Sequence, residues 1–405
     1  MTDMKQGWEE CILEDYIKLI DYRGRTPVKT ESGIRLITAK NVKLGYLQLE
    51  PQEFIAEDNY ESWMTRGIPN FGDVIFTTEA PLANVAQIDT YDKVAFAQRI
   101  IVMQPQKDKI DSTFLKFLLL SDSTRRKILD KGTGATVLGI KSSLLKKIKI
   151  SIPSIPEQQR IVSILDTAFE AIDKAKANAE QNLKNSKELF ESYLQNIFSS
   201  KGEGWEEKTL GDLCNVIGGG TPSKANGKFY DGSIYWATVR DMKGDLITDT
   251  EHKITLDAVK NSSTNIIPKG NVVIATRVGL GRVCLIQNDT AINQDLRGVV
   301  PINLNKLSVD FLFRWFKSIA NKIVEEGTGA TVQGVKLPFI KSLIINVPPI
   351  QEQNNIVKKL ESLSKETKRL EAIYQQKLID LEELKKSLLE KAFKGELKTE
   401  KIEVV

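Results

Sequence analysis

The sequence predicts an α+β protein in which two similar α/β-type globular domains are joined by two long helices that form an antiparallel coiled coil, with internal pseudo-two-fold symmetry. Two observations carry this prediction. Sliding the sequence against itself by about 195 residues brings its two halves into register. Each half begins with short β-like runs and ends in a long stretch without Pro or Gly. A length of 405 residues also exceeds one ordinary domain of ~100–200 residues.

The repeat is clearest at a Gly-rich segment, which reads GTGATVLGIK at 132–141 and GTGATVQGVK at 327–336. Agreement between the halves is dense from this segment onward and scattered before it. Two copies of one structural frame that carry different surfaces are expected to show this pattern, because the frame is preserved while the surfaces diverge. We expect the glycines to let the chain turn tightly where each globule leads into its helix, because glycine adopts backbone angles that other residues avoid.

The first part of each half is predicted to be mainly β-structure. DVIFTT and NVVIAT contain the branched residues typical of buried strands, and Gly, Pro and Asn clusters separate such runs. One helical segment follows in each half, at 112–129 and at 310–324. Strands followed by helices within one repeat indicate an α+β globule.

Two long helices are predicted from the stretches at 157–200 and 350–394, which are rich in Ala, Lys, Glu, Gln and Leu. Apolar residues recur in steps of four and three, a heptad pattern. Parallel packing and a separate self-associating coiled coil remain alternatives to the antiparallel pair. The predicted seams are Ile161, Leu165, Ala168, Ile172, Ala175, Ala179, Asn182, Ser186, Leu189 and Tyr193, and Ile356, Leu360, Leu363, Thr367, Leu370, Tyr374, Lys377, Leu381, Leu384 and Leu388.

Composition excludes several classes of protein. Cys11, Cys214 and Cys284 are scattered, which indicates a reducing compartment and neither disulfides nor a zinc site. His252 is the single histidine, so a histidine-based metal cluster is excluded, and we expect it in a solvated loop. No apolar run approaches the ~18 residues of a membrane span, and we expect a cytoplasmic protein without a signal peptide. A net charge of +4 permits nucleic-acid binding without requiring it.

Known catalytic motifs are missing from the sequence. Neither Gly-rich segment supplies the Gly-Lys-Ser/Thr of a Walker loop, and no adenine-methyltransferase NPPY motif occurs. We therefore predict no catalytic residue, no metal site and no cofactor in this chain. Two alternatives stay open at this point. One is an enzyme whose duplicated GTGATV loops bind a nucleotide or phosphate, and the other is a coiled-coil adaptor without DNA affinity.

Several motifs in repeated order resemble one known family. IPSIPEQQRIV at 152–162 and VPPIQEQNNIV at 347–357 follow the two GTGATV segments, GWEEKTLGDLCNVIGGGTPSK at 204–224 opens the second half, and LLEKAFKGEL at 388–397 closes it. Together they are similar to the DNA-specificity (S) subunit of type I restriction-modification enzymes. The likeness extends over almost the whole chain.

The resemblance implies a non-catalytic, sequence-specific DNA-binding subunit. Each globule would be a target-recognition domain that reads one half of a bipartite double-stranded DNA site, and the helices would fix the spacing and dock two modification subunits. Restriction subunits would complete the complex, and S-adenosylmethionine, ATP and Mg would belong to the partners. The implied domains are 1–155 and 201–349 for recognition, 156–200 and 350–397 for the spacer helices, and 398–405 for a tail.

Candidate DNA contacts are basic residues flanked by Gly, Ser, Thr or Asn, which expose cations on turns where phosphates and base edges are within reach. A solvated surface role is the alternative for each of them. Gln98 and Gln294 occupy equivalent places in the repeats and are expected to hold the frame. The candidates are Arg23, Arg25, Lys29, Arg35, Lys40, Lys43, Arg66, Arg99 and Lys141 in the first half, and Lys224, Lys228, Arg240, Lys243, Arg277, Arg282, Arg297 and Lys336 in the second.

Overall fold

The computed structural model describes residues 7–22, 26–328 and 334–397. The chain divides into two compact units, Met1–Ala179 with Gln376–Val405 (unit 1) and Glu180–Gln375 (unit 2). Each unit therefore contains one globule and a part of each long helix. The candidates Arg23 and Arg25, part of the second GTGATV segment and the tail at 398–405 lie outside the described residues.

Unit 1 contains a four-stranded sheet in the order β2-β8-β5-β6, a three-stranded sheet in the order β4-β3-β7, and the antiparallel pair β1-β9. The strands are β1 (Glu9–Ile12), β2 (Ile17–Asp21), β3 (Ile34–Ile37), β4 (Phe54–Ile55), β5 (Val74–Thr77), β6 (Val85–Gln87), β7 (Val94–Phe96), β8 (Ile100–Pro105) and β9 (Lys149–Ile152). The helices are α1 (Tyr60–Trp63), α2 (Ser112–Leu120), α3 (Asp122–Leu129) and α4 (Ser142–Leu145), and the long helix α5 (Ile155–Ser199) begins in unit 1 and ends in unit 2.

Unit 2 repeats this plan with sheets in the orders β11-β19-β16-β17-β13 and β14-β12-β18-β15 and the pair β10-β20. Its strands are β10 (Glu206–Thr209), β11 (Cys214–Gly218), β12 (Ile234–Ala237), β13 (Leu246–Ile247), β14 (His252–Ile254), β15 (Asn265–Ile267), β16 (Val272–Ala275), β17 (Val283–Ile286), β18 (Thr290–Ile292), β19 (Leu296–Pro301) and β20 (Ile344–Val347). Its helices are α6 (Leu210–Leu213), α7 (Leu256–Lys260), α8 (Val309–Ser318), α9 (Ala320–Glu325) and α10 (Leu337–Ser342), and the long helix α11 (Ile350–Lys394) begins in unit 2 and ends in unit 1.

The segment predicted as one helix at 112–129 is two helices, because Ser121 interrupts it. Ser121 has an extended backbone (φ −61°, ψ 138°), and its side chain accepts a hydrogen bond from the Thr124 amide as the cap of α3. Serine competes for backbone hydrogen bonds in this way and so favours helix ends over helix interiors. The counterpart in unit 2 breaks similarly at Ile319, between α8 and α9.

The long helices pack on each other within the units, which confirms the predicted coiled coil. In unit 1, Asp173 pairs with Lys385 at 2.8 Å and Lys176 with Glu382 at 2.5 Å. Asp173 precedes Lys176 on α5, whereas Lys385 follows Glu382 on α11, so the two helices run antiparallel. In unit 2, Leu194 of α5 shares a buried cluster with Ile356 and Leu360 of α11.

The first part of the predicted seam is buried as expected, and farther along the helices the buried residues lie one position later than predicted. Leu189 and Tyr193 are 51% and 37% exposed, whereas Leu194 is only 5% exposed. On α11, Leu384 is likewise 46% exposed, although the heptad pattern placed it on the seam. A strict heptad advances 3.5 residues per turn and a straight helix 3.6, so the buried face moves off a heptad seam along a long helix.

A buried glutamine fixes the start of each long helix. Gln158 is fully buried; its Oε1 accepts the Asp111 amide at 2.8 Å, and its Nε2 donates to the carbonyls of Lys109 and Pro153 at 3.1 and 2.9 Å. Gln353 does the same in unit 2 with Ser308, Lys306 and Pro348. The recurring IPEQQ and IQEQN motifs thus fasten each long helix to the loop before α2 or α8.

Replacing Gln158 by leucine is expected to destabilise unit 1 by about 2 kcal/mol or more, because one buried and two partly buried backbone groups lose their partner. Chemical denaturation of the full chain measures this change. Gln159→Leu is the matched control, since Gln159 is the exposed neighbour. Equal stability of the two variants would contradict a fastening role for Gln158.

Candidate nucleic-acid interface

The GTGATV segment of unit 1 forms a closed turn at the edge of the sheet. Thr133 and Gly139 exchange backbone hydrogen bonds of 2.8 and 3.0 Å, and the Ile140 amide donates to the Thr78 carbonyl at 3.0 Å. Gly134 has φ +128°, and a Cβ there would lie 2.1 Å from the Val137 carbonyl oxygen. The glycine is therefore required by the turn. In unit 2 the same closure joins Thr328 and Gly334.

A cleft of about 440 Å³ lies beside this turn in unit 1, and several predicted residues line it. Arg99 and Lys141 are both exposed, with Gln98 half-buried between them and the sheet. The Arg99 Nε is 3.0 Å from the Glu79 Oε1, in an ion pair whose members are 50% and 43% exposed. The cleft thus combines two cations with one amide and one carboxylate.

Three other basic candidates of unit 1 contact the unit itself. Lys29 pairs with Glu53 at 2.7 Å. The Arg35 Nη2 donates to the carbonyls of Gln48 and Leu49 at 3.3 and 3.2 Å. Arg66 donates to the carbonyl of Asp21. These contacts tie loops to the sheet, whereas Lys40 is exposed and Lys43 half-exposed in the turn after β3.

Unit 2 has a larger cleft, of about 810 Å³, lined by residues of β12 and β14 and of neighbouring loops. Its predicted basic residues are Lys224 and Arg240, both exposed. The Arg240 Nη1 is 3.8 Å from the Glu251 Oε2, and 80% of the Arg240 side chain is accessible to solvent. An ion pair this exposed leaves the guanidinium available to a ligand, because water screens the pair and its geometry is loose.

A cluster of aromatic side chains lines this cleft. Trp236 is buried, and its Nε1 donates to the Gly220 carbonyl at 3.1 Å. Tyr230 meets the Trp236 ring edge-on at 5.9 Å, and the His252 ring lies 6.3 Å from it. His252 is exposed, as expected, but it begins strand β14 instead of lying in a loop. No spacing in the sequence indicates this cluster, because the three residues come from separate elements.

Amide and hydroxyl side chains also line this cleft. The Thr221 hydroxyl donates to the Gln294 Oε1. The Asn293 Nδ2 donates to the Asp295 Oδ2 at 3.1 Å, and Asp295 in turn lies 3.6 Å from the Arg277 Nη1. None of Thr221, Asn293 and Asp295 was among the predicted site residues, since the prediction considered cations only.

The remaining candidates of unit 2 differ in exposure. The Arg297 guanidinium donates to the carbonyls of Gln294 and Leu296 at 3.2 and 2.9 Å. Burial lowers its pKa, and the neighbouring Arg277 lowers it further; an arginine starts far enough above neutral pH to stay charged. Arg282 donates to the Val239 carbonyl at 3.2 Å. Lys228, Lys243 and Lys336 are exposed.

No group of three or more His, Cys, Asp or Glu side chains that could hold a metal ion occurs among the described residues. In the same part of the chain, every helix is too short or too polar to span a bilayer. Cys11, Cys214 and Cys284 are free thiols, and burial raises the pKa of Cys284 to about 11.

The two units repeat one α+β frame and expose cations beside amide side chains in two unlike clefts, an arrangement suited to binding a polyanion. The family model of the type I restriction modification DNA specificity domain matches residues 7–184 and again residues 202–379. These matches cover most of the chain, so the protein belongs to that family.

Individual relatives agree with this assignment. The chain is 35% identical over 228 residues to the type I restriction enzyme EcoR124I/EcoR124II specificity subunit of Escherichia coli, a match that covers 53% of this chain and 55% of that one. The matched region therefore spans about half the length of this relative. None of the comparisons supports the alternative of a nucleotide-binding enzyme built on the GTGATV turns.

Solved structures share the fold. The HsdS subunit from Thermoanaerobacter tengcongensis superposes with a TM-score of 0.67 at 20% identity, over 97% of this chain and 98% of that one. A chain from a structure that describes complex assembly and conformational transition of the type I R-M system superposes with a TM-score of 0.75 at 19% identity, over 98% of this chain and 100% of that one.

Proposed function

We propose that this chain is the sequence-specific DNA-binding subunit of a type I restriction-modification complex, in which each globule reads one half of a bipartite site. The observation that carries the proposal is one frame with two different clefts. Gln158 and Gln353 make the same three hydrogen bonds in the two units. The clefts of the two units are lined by different side chains, which supports two half-sites of different sequence.

The long helices act as the spacer and docking surface in this proposal. Two half-sites on the same face of B-DNA lie ~34–36 Å apart, or a multiple of that distance, and helices of 45 residues are ~68 Å long. Large apolar side chains remain uncovered on α11, including Leu370 and Ile373 in unit 2 and Ile379 and Leu384 in unit 1. These exposed apolar side chains are proposed to be part of the surface on which two modification subunits dock.

The chemistry of the complex is assigned to its other subunits. The modification subunits would bind S-adenosylmethionine and methylate adenine, and restriction subunits would use ATP and Mg to cleave DNA. The chain itself is proposed to be non-catalytic. A complex that acts on DNA in this way works in the cytoplasm, which fits the free thiols.

The exposed cations are the proposed phosphate contacts, and a few arginines beside the clefts are the proposed base contacts. Lys40, Lys43, Lys141, Lys224, Lys228, Lys243 and Lys336 are proposed for phosphates, with Arg99, Arg240, Arg277, Arg282 and Arg297 nearer the clefts. Lys29, Arg35 and Arg66 are proposed to place the loops that meet DNA, because each already holds a carboxylate or carbonyl of its own unit.

Binding of the complex to a duplex with its site should weaken steeply with salt, and Lys224→Ala should reduce the slope of log K against log [salt] by about 1. Fluorescence anisotropy at several salt concentrations measures the slope. Lys306→Ala is the control, because Lys306 follows β19 at the end remote from the cleft. Binding that does not depend on salt, for the unaltered complex, would refute DNA binding through these cations.

A further inference from the structure

One ion pair occupies the same position in both units with its charges exchanged. In unit 1 the Thr78 amide donates to the Arg99 carbonyl at 3.0 Å, and its hydroxyl does so at 3.3 Å. In unit 2 the Thr276 amide and hydroxyl donate to the Asp295 carbonyl at 2.8 and 3.3 Å. These matching hydrogen bonds make Arg99 and Asp295 equivalent.

The other members of the two pairs are equivalent as well. Glu79 directly follows Thr78, and Arg277 directly follows Thr276. In unit 1, Glu79 lies after β5 and Arg99 lies before the neighbouring antiparallel strand β8. In unit 2, Arg277 lies after β16 and Asp295 lies before the neighbouring antiparallel strand β19. Glu79–Arg99 is therefore the same ion pair as Arg277–Asp295, with the guanidinium on the opposite strand.

Both pairs lie against the GTGATV turn. A Cβ on Gly139 would be 3.3 Å from the Glu79 Cβ, and one on Gly334 would be 3.3 Å from the Arg277 Cγ. The turn thus brings its backbone close to the first residue of each pair. Gly139 and Gly334, which close the turn, hold the same place in both units, and what differs at this place is the polarity of the pair.

The two arginines are half-exposed, at 50% for Arg99 and 48% for Arg277. The carboxylate of Asp295 is only 16% exposed and is held by Asn293. The Arg277 Nη1 lies 3.6 Å from this carboxylate, and half of the Arg277 side chain is exposed, so its guanidinium is accessible to a ligand. A guanidinium fork with free donors matches the O6 and N7 acceptors of guanine in the major groove.

We propose that this ion pair determines base specificity, with Arg277 reading a guanine in one half-site and Arg99 reading a guanine in the other, and that the exchanged polarity places the two guanines at different positions within their half-sites. The inference rests on the proposed function of the chain. Asp295 and Glu79 are positioning residues, which orient the arginines and do not themselves contact guanine.

The test is the methylation site produced by the full complex in a host without other adenine methylation. Arg277→Lys keeps the charge and loses the fork, so the preference for one base pair of one half-site should fall about 10- to 100-fold, with the other half-site unchanged. Arg99→Lys should do the same in the other half-site. Lys317→Ala breaks a different ion pair of unit 2, with Asp245 at 2.7 Å, and should leave the site unchanged.

A second variant separates base reading from folding. Arg277→Glu combined with Asp295→Arg restores an ion pair in unit 2 with the polarity of unit 1, so unit 2 should keep its stability while the preferred base changes. If the unaltered complex methylates a bipartite site and both lysine variants and the exchanged pair retain it, this inference is wrong. If the unaltered complex has no bipartite site, the proposed function is wrong.

Discussion

Replacing Phe393 by alanine is expected to destabilise unit 1 by about 3–5 kcal/mol, the usual effect of deleting a buried phenylalanine ring. Phe393 is 5% exposed, and its ring centroid lies 5.2 Å from that of the fully buried Phe114. The neighbouring Ala392 is completely buried in the same cluster. Residues near position 393 thus complete a core whose other members come from the first half of the chain.

The effect should be confined to one unit. Hydrogen exchange of backbone amides, read separately for strands β5 and β16, distinguishes the two units. Phe198→Ala is the matched variant, because Phe198 meets Phe311 in unit 2 with a centroid distance of 5.1 Å. We expect Phe393→Ala to speed exchange in β5 alone and Phe198→Ala to speed exchange in β16 alone. Equal loss of protection in both strands for either variant would contradict the division into units.

Inserting seven helical residues into both long helices, between Ala179 and Glu180 and between Gln375 and Gln376, is expected to lengthen the unread gap of the DNA site. These are the points where the two compact units divide. Seven residues add ~10 Å of helix, which corresponds to up to about three base pairs at ~3.4 Å each. The sequences of the two half-sites should not change, because the globules that read them are unaltered.

The methylation pattern of the variant complex measures the new gap. The same insertion into α5 alone is the control, since it shifts the buried residues of one helix against the other and should abolish methylation by destabilising the pair. A double insertion that keeps the original gap would show that the helices do not set the spacing. Altered half-sites with an unaltered gap would contradict the assignment of reading to the globules.

Much of the frame could be predicted from the sequence, because the chain provides its own comparison. The repeat indicated two similar α+β globules, the Pro- and Gly-free stretches indicated helices, and the turn chemistry of GTGATV indicated a tight turn at Gly134. The break at Ser121 was missed because its side-chain cap competes with a strongly apolar helix pattern. The drift of the seam near Leu189 was missed because a heptad pattern assumes supercoiling over the whole helix.

The site was less predictable than the frame. Residue type and flanking turns predicted Lys29 and Arg66 as DNA contacts, and the structure places both against groups of their own unit. The prediction missed these partners because residues distant in sequence leave no local signal. The exchange of charge between the two ion pairs did have a signal in the sequence. Aligning the two halves puts the carboxylate of Glu79 at the position of the Arg277 guanidinium, and a comparison of charged residues between the aligned halves finds this difference.

The most direct test of this chain's role in DNA recognition is a methylation map of a host that carries this chain with its modification subunits and no other adenine methyltransferase. That role predicts one bipartite site with two unlike halves separated by an unread gap, and loss of that methylation when the gene for this chain is deleted. An unchanged methylation map after deletion, or a single continuous palindromic site, would contradict it.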